Sequence, residues 1–298
     1  MSVKLENLTF IMYGLSEERK GKGAYMKKTI LIVMTVLVAL VLAVSCSGSP
    51  KTQKKDSYTV TFDLKGGKCV GLDTNQTVEA GDTIDEPNAY IPTAPDDKYY
   101  RFDYWAKADG TEYNFSTTVT SDITLYAKYK DRYKVGEKDS PSGGYTFYEN
   151  KNYVQDSSDP DKNWKYLEVS SKDYCDNSPT DTTFEWGSKE YIETSTAVNS
   201  GSSNTEKMSK LTSSVAKNIW NQTGDGGKTD WYIPSKDELA LIFKEVAAKG
   251  NGKFSGYYWS SSAKDNDSAW NLSTTESASG EHSDSRDVKC HIRLIRKF

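Results

Sequence analysis

The chain has 298 residues, room for two domains at about 100–200 residues each. Hydrophobic side chains make up 36% and aromatic ones 12%, with 20 Tyr and 7 Trp. That is too polar for a protein crossing the membrane many times and too aromatic for a chain without a packed core. The 2 His and 4 Cys are scattered, which excludes zinc ribbons, zinc fingers, iron–sulfur clusters and a dense disulfide framework.

The strongest apolar run, residues 29–44, holds 16 residues without a charge. It is short of the roughly 20 that a spanning helix needs. Met26, Lys27 and Lys28 precede it, and Ser45 and Cys46 end it. A basic start, an apolar middle and a small residue before the cut predict a secretory signal peptide over 26–45. Leu42, Ala43, Val44, Ser45 and Cys46 resemble the bacterial lipobox. That resemblance implies diacylglycerol on the Cys46 thiol, mature protein beginning there, and a lipid-anchored place in the cell envelope, at the outer membrane or cell surface. An uncleaved N-terminal anchor is the alternative. Residues 1–25 carry Glu17 and Glu18, unsuited to a signal's basic end, and are expected to be a gene-model extension before Met26. Residues 1–45 hold six basic and three acidic side chains, which leaves 32 and 39 in residues 46–298, a net of −7. An acidic ectodomain has no electrostatic footprint for nucleic acid.

Residues 46–57 are polar, contain Gly and Pro and lack any apolar period, so they read as a linker. Residues 58–130 form the first module. Tyr58, Val60, Phe62 and Leu64 alternate with polar residues, as do Ile123, Leu125, Ala127 and Tyr129; both runs predict half-buried strands. Gly66 and Gly67 break the first run. Further strands are expected at 101–105 and 112–115, joined through the turn pair Asp109 and Gly110.

Tyr58, Val60, Phe62, the Gly66–Gly67 pair, Phe102 with Trp105, and the run 113–129 resemble the Listeria–Bacteroides repeat, also called the internalin B-repeat. The resemblance implies a small β-grasp-like fold serving as a spacer in a bacterial surface protein.

Residues 131–144 are rich in Gly, Ser, Asp and Lys and read as a junction opening the second module, 131–298. Strands are expected at 144–148 and 164–169. Met208, Leu211, Val215 and Ile219 predict one amphipathic helix. Ser235 and Glu238 form a capping box before a second helix with Leu239, Ile242, Phe243 and Val246 on one face, closed by Gly250. Strands are expected again at 257–262, 269–273 and 288–298. The class is α+β.

Gly143 to Tyr148, the run Asp230, Trp231, Tyr232, Ile233 and Pro234 opening a helix, Tyr258 to Ser262, Ala269 with Trp270, and the close Ile292 to Arg296 resemble the Legionella collagen-like C-terminal domain family. That resemblance covers about 135–298 and implies a C-type-lectin-like fold, with first and last strands brought together and long loops exposed to ligands.

Candidate chemistry is mostly rejected on spacing. The 224–229 loop lacks the first Gly of a phosphate-binding loop, where Gln222 stands. In the calcium-loop spacing begun at Asp159, Trp164 replaces the turn Gly and Ser170 the bidentate Glu. No nucleophile elbow accompanies His282 or His291, and no cofactor is expected. Cys175 and Cys290 are too far apart in sequence for the cysteine pair of formylglycine-generating enzymes. They are candidates for a disulfide, with pairing through Cys69 left open. The stretch 257–287 is crowded with adaptable contact residues: Tyr257, Tyr258, Asp265, Asn266, Asp267, Trp270, Asn271 and Asp284. They are the candidate ligand-binding residues, against the plainer reading of ordinary polar loops. Alternation puts Tyr258 and Trp259 on opposite faces, so at most one can meet a ligand. The expectation is an envelope lipoprotein that binds a protein or glycan without chemistry, with an enzyme on the same fold or a purely structural lipoprotein as rivals.

Overall fold

A computed structural model describes residues 55–175, 182–220, 224–273 and 282–298. From Ser57 onward the described chain packs as one unit. It is mostly β, with a few short helices. Among the described residues no helix is long and apolar enough to cross a membrane. The expected signal peptide, 26–45, and Cys46 lie outside the described residues.

The first module is one mixed sheet of β1 (Ser57–Asp63), β2 (Asn75–Glu79), β3 (Tyr100–Ala106) and β4 (Ile123–Asp131), in the order β2-β1-β4-β3. The two strands with clear alternation, β1 and β4, lie side by side and parallel, with Phe62 opposite Leu125. That register stacks Val60, Phe62, Leu125 and Ala127 on one face, all buried, and Trp105 meets Phe62 edge-on at 4.7 Å. Such pairs contribute about 0.5–1.5 kcal/mol beyond their buried area. β2 was invisible in the sequence because it is a polar edge strand whose only buried side chain is Val78. The strand expected at 112–115 shrinks to a single bridge, Ala106 with Glu112, across the Asp109–Gly110 turn. Gly67 sits where a Cβ would strike the Tyr129 hydroxyl and the Thr93 carbonyl. That hydroxyl donates to the Leu64 carbonyl at 2.8 Å, so the turn and β4 close on each other only with glycine there.

The residues expected to form a plain junction are instead built into the fold. Gly136 N–H donates to the Thr146 carbonyl and Thr146 N–H to that of Glu137, which sets 136–137 along the next strand. Around them Tyr99 and Tyr100 of the first module meet Tyr133, Tyr153, Tyr166 and Phe298 in one aromatic cluster. Tyr99 lies 5.0 Å from Tyr153 and 5.9 Å from Tyr166, both edge-on. Lys165, only 5% exposed, reaches from the second module to Asp131 at 2.6 Å and lies 3.9 Å from the Tyr100 ring centroid. Burial alone would lower this lysine's pKa, but the Asp131 carboxylate and the Tyr100 phenol raise it. The Tyr153 hydroxyl donates to Asp96 at 2.5 Å.

The second module holds two sheets. One has the order β12-β6-β5, from β5 (Tyr145–Glu149), β6 (Tyr166–Val169) and β12 (Ile295–Lys297), so the module's first and last strands flank one central strand. The other has the order β10-β9-β8-β11-β7, from β7 (Thr183–Glu185), β8 (Tyr257–Ala263), β9 (Ser268–Ser273), β10 (His282–Ser285) and β11 (Lys289–His291). Alternation in β8 serves two cores. Trp259 enters one with Trp186, Ile219, Trp231 and Ile292. Tyr258 enters the other with Phe147, Leu167, Leu239 and Phe243.

Three expectations change. The single helix through 208–219 is two, α1 (Gly201–Met208) and α2 (Ala216–Ile219). Between them Ser209 donates its hydroxyl to the Glu206 carbonyl and Ser214 Oγ accepts from Ala216 N–H, so serine side chains compete for the backbone groups that would extend the helix. The run 288–298 divides into β11 and β12, which belong to different sheets. Arg293, 1% exposed, sits at the crossing and its Nη1 donates to the Ser170 and Gly252 carbonyls. β7 and β10 were not anticipated, being short and without an apolar alternation. The helix α3 (Lys236–Glu245) begins as expected: Ser235 Oγ accepts from Glu238 N–H while the Glu238 carboxylate accepts from Ser235 N–H.

Candidate functional site

A concavity of the second module opens between the loop after β6 and the loop before α3. It has a volume of about 320 Å³. Trp231, Ile219 and Leu294 give it an apolar floor; Lys172, Asp173 and Asp225 give it a charged rim. Its position follows from the fold. Trp231 and Leu294 belong to the first core and expose only an edge, and the Trp231 indole N–H donates to the Asp225 carbonyl at 3.1 Å. An apolar floor with few convergent polar groups is the usual composition of a small-ligand site.

Asp173 is held from behind. Arg293 approaches it through Nε and Nη2, each at 2.7 Å, the Tyr258 hydroxyl donates to it at 3.2 Å, and His291 Nδ1 lies 3.5 Å away. Arg293 also lies 4.1 Å from the Phe254 ring centroid. Burial raises the Tyr258 pKa, so the phenol stays a donor. This arrangement fixes one carboxylate oxygen pair at a cleft rim, which suits hydrogen-bond recognition. Tyr258 was among the sequence candidates, but Asp173 and Arg293 escaped the sequence reading. The signal was present in Arg293, a cation between Ile292 and Leu294 in an apolar strand, which must find a buried partner.

The candidate residues of 257–287 do not converge. Residues 274–281 of that stretch lie outside the described residues. Cross-strand pairing sets Trp259, Asn271 and His282 on one face of the sheet and Tyr258 and Leu272 on the other. Tyr257 and Asp284 fall on the Asn271 face, and Trp270 on the Tyr258 face. Tyr258 and Asn271 are fully buried, so neither offers a surface to a ligand. Alternation had allowed one of Tyr258 and Trp259 to face outward, but both faces are covered and both side chains are buried. Asn271 donates to Asp284 at 2.7 Å. Trp270 is half-buried beneath two ammonium groups, Lys236 at 4.5 Å and Lys264 at 5.4 Å. Tyr257 remains exposed and meets the His282 ring. Asp265, Asn266 and Asp267 are exposed at the hairpin tip. There the Ser268 hydroxyl, with the N–H groups of Ser268 and Asp267, donates to Asp265 and holds its carboxyl below the usual range. Buried Arg286 pins the tip through the Asp265 carbonyl and through the Ser188 and Glu190 carbonyls.

The expected disulfide is absent: Cys175 and Cys290 are free thiols. Cys290 points from β11 into the first core, while Cys175 is exposed at the cleft. Burial, with the Asp284 charge adding to it, pushes the Cys290 thiol up to about 12. Maleimide at pH 8 is therefore expected to label Cys175 in the native protein and to reach Cys290 only after unfolding, read by peptide mass spectrometry. Equal labelling of both would contradict the burial.

Among the described residues no three His, Cys, Asp or Glu side chains gather as a metal site. The Asp159 turn is tied instead to Lys162 at 3.1 Å, and Asp161 accepts from Asn199 at 2.6 Å. The 224–229 loop forms a short 3-10 turn, Asp225–Gly227, at the cleft's edge.

No curated protein matches the chain. Residues 58–128 match the family model of the Listeria-Bacteroides repeat domain, which covers nearly all of the four-stranded sheet and leaves the second module outside the match.

Proposed function

We propose that this is an exported envelope lipoprotein, anchored through Cys46, whose second module recognises a glycan or protein ligand without chemistry. The observation that carries it is the 320 Å³ cleft with its apolar floor and fixed carboxylate. In this reading the repeat is β-grasp-like. Its order β2-β1-β4-β3, with the inner pair parallel, supports that. The second module is C-type-lectin-like, a reading supported by β5 and β12 sharing one sheet and by the long loops between β6 and α3.

Binding is tested on arrays of bacterial and host glycans and peptides with the full chain in detergent. Lys172 is exposed and Asp225 half-buried at the rim, and neither side chain is part of a core. Replacing either with Ala is expected to weaken an array hit about tenfold, or ~1.4 kcal/mol. Asp265→Ala with Asp267→Ala, at the hairpin tip, is expected to leave it unchanged. The reverse pattern would move the site to the tip.

A further inference from the structure

A second crevice lies where the repeat docks on the second module, with a volume of about 580 Å³. Lys98 and Arg132 line it from the repeat and the segment just after it; Lys228 and Lys297 line it from the second module. None of the four makes an ion pair with a carboxylate among the described residues. Lys98 lies over the Tyr99 ring at 4.6 Å and Lys297 over Trp164 at 5.4 Å. Arg132 spends two of its N–H groups on the Asp97 and Tyr100 carbonyls.

Two acids also line the crevice. The Asp230 carboxylate is taken by Arg296, whose Nε and Nη2 donate to it at 2.8 and 3.0 Å. Asp97 is exposed. Among the side chains that line the crevice, five cations face two acids, in a chain that is acidic as a whole. Lys297 is the informative member. Burial holds its ammonium below the usual lysine value, with Glu238 and Asp161 offsetting only part of that cost. The Trp164 indole N–H, buried at the wall, has no acceptor. A half-buried cation with no carboxylate in ion-pair contact, beside an unspent donor, is a place where an anion would be held.

We infer that this crevice is a composite binding site for a ligand bearing sulfate, phosphate or carboxylate groups, gripped by Lys98 and Arg132 from one side and by Lys228 and Lys297 from the other. The site exists only while the two modules are docked, so the aromatic junction has a recognition role as well as a packing one. The ligand is either a free inorganic oxyanion or an acidic saccharide; the crevice is large enough for the second.

The test is calorimetric titration of the full chain in detergent with three probes: inorganic phosphate, a heparin-derived tetrasaccharide and neutral maltotetraose. The tetrasaccharide or phosphate is expected to bind, more weakly as salt rises, and maltotetraose not to bind. Tetrasaccharide binding at least tenfold tighter than phosphate assigns an acidic saccharide; comparable affinities assign the free oxyanion. Lys98 and Lys228 are both exposed, so Lys98→Ala with Lys228→Ala is expected to keep the wild-type melting temperature and to lose at least tenfold in affinity. Lys172→Ala, at the other cleft, is expected to have no effect, which separates this site from the proposed lectin-like one. Equal affinity in the Lys98/Lys228 double variant, or failure of both anionic probes to bind, would overturn the inference.

Discussion

Replacing Arg296 with Ala is expected to lower the stability of the second module by about 3–5 kcal/mol, the usual cost of stripping one partner from a buried ion pair. Arg296 lies in β12 and ties the fully buried Glu168 carboxylate, at 2.5 Å, to Asp230. Burial alone would lower its pKa, and the two carboxylates raise it instead. Without the guanidinium, Glu168 keeps only the hydroxyl and N–H of Ser142, at 3.0 and 3.3 Å. A carboxyl so placed is left buried with most of its partners gone. Arg296→Met combined with Glu168→Gln removes both charges and is expected to recover part of the loss. Urea denaturation followed by tryptophan fluorescence measures both. A cost below 1 kcal/mol for Arg296→Ala would mean that water reaches Glu168.

Tyr99→Ala is expected to separate the two modules. Tyr99 is 1% exposed and stands at the centre of the aromatic junction, projecting from the turn before β3. Truncating a buried aromatic side chain costs about 3–5 kcal/mol when the cavity cannot collapse. Here the cavity lies between two sheets that each have their own core, so undocking relieves it. The expected result is a wild-type melt with one transition that becomes two, and a larger radius of gyration in X-ray scattering. Tyr99→Phe is the control. The Tyr99 hydroxyl is buried with no hydrogen-bond partner, so its removal is expected to be neutral or slightly stabilising. A single unchanged transition in Tyr99→Ala would show that the modules hold together by other means, with Lys165 and Tyr153 the remaining links.

What was legible in the sequence was what depends on local pattern. β1 and β4 follow from alternation, the start of α3 from Ser235 and Glu238, and the hairpin turn from Asp109 and Gly110. What was not legible depends on partners distant in sequence. β2 and β10 are polar edge strands whose burial is set by one neighbour each, so they carry no apolar period. The 131–144 segment looks like a linker by composition, yet it is ordered by Thr146 and by Asn251, whose side chain donates to the Gly136 carbonyl. The candidate binding residues were chosen for composition in one stretch of chain, whereas pleating sends neighbouring side chains to opposite faces. Hence Tyr258 and Asn271 became core groups and the cleft arose elsewhere, between the loops after β6 and before α3, with its rim carboxylate Asp173 held by Arg293, more than a hundred residues away in sequence.

The central claim is that the docked modules work outside the cytoplasm, held to a membrane through Cys46. Metabolic labelling with an alkyne fatty acid in a bacterial host, followed by envelope fractionation, tests it directly. Label on the wild-type protein in the membrane fraction, lost in Cys46→Ser, is the expected result. An unlabelled wild-type protein in the cytosol, or label that persists in Cys46→Ser, would contradict it.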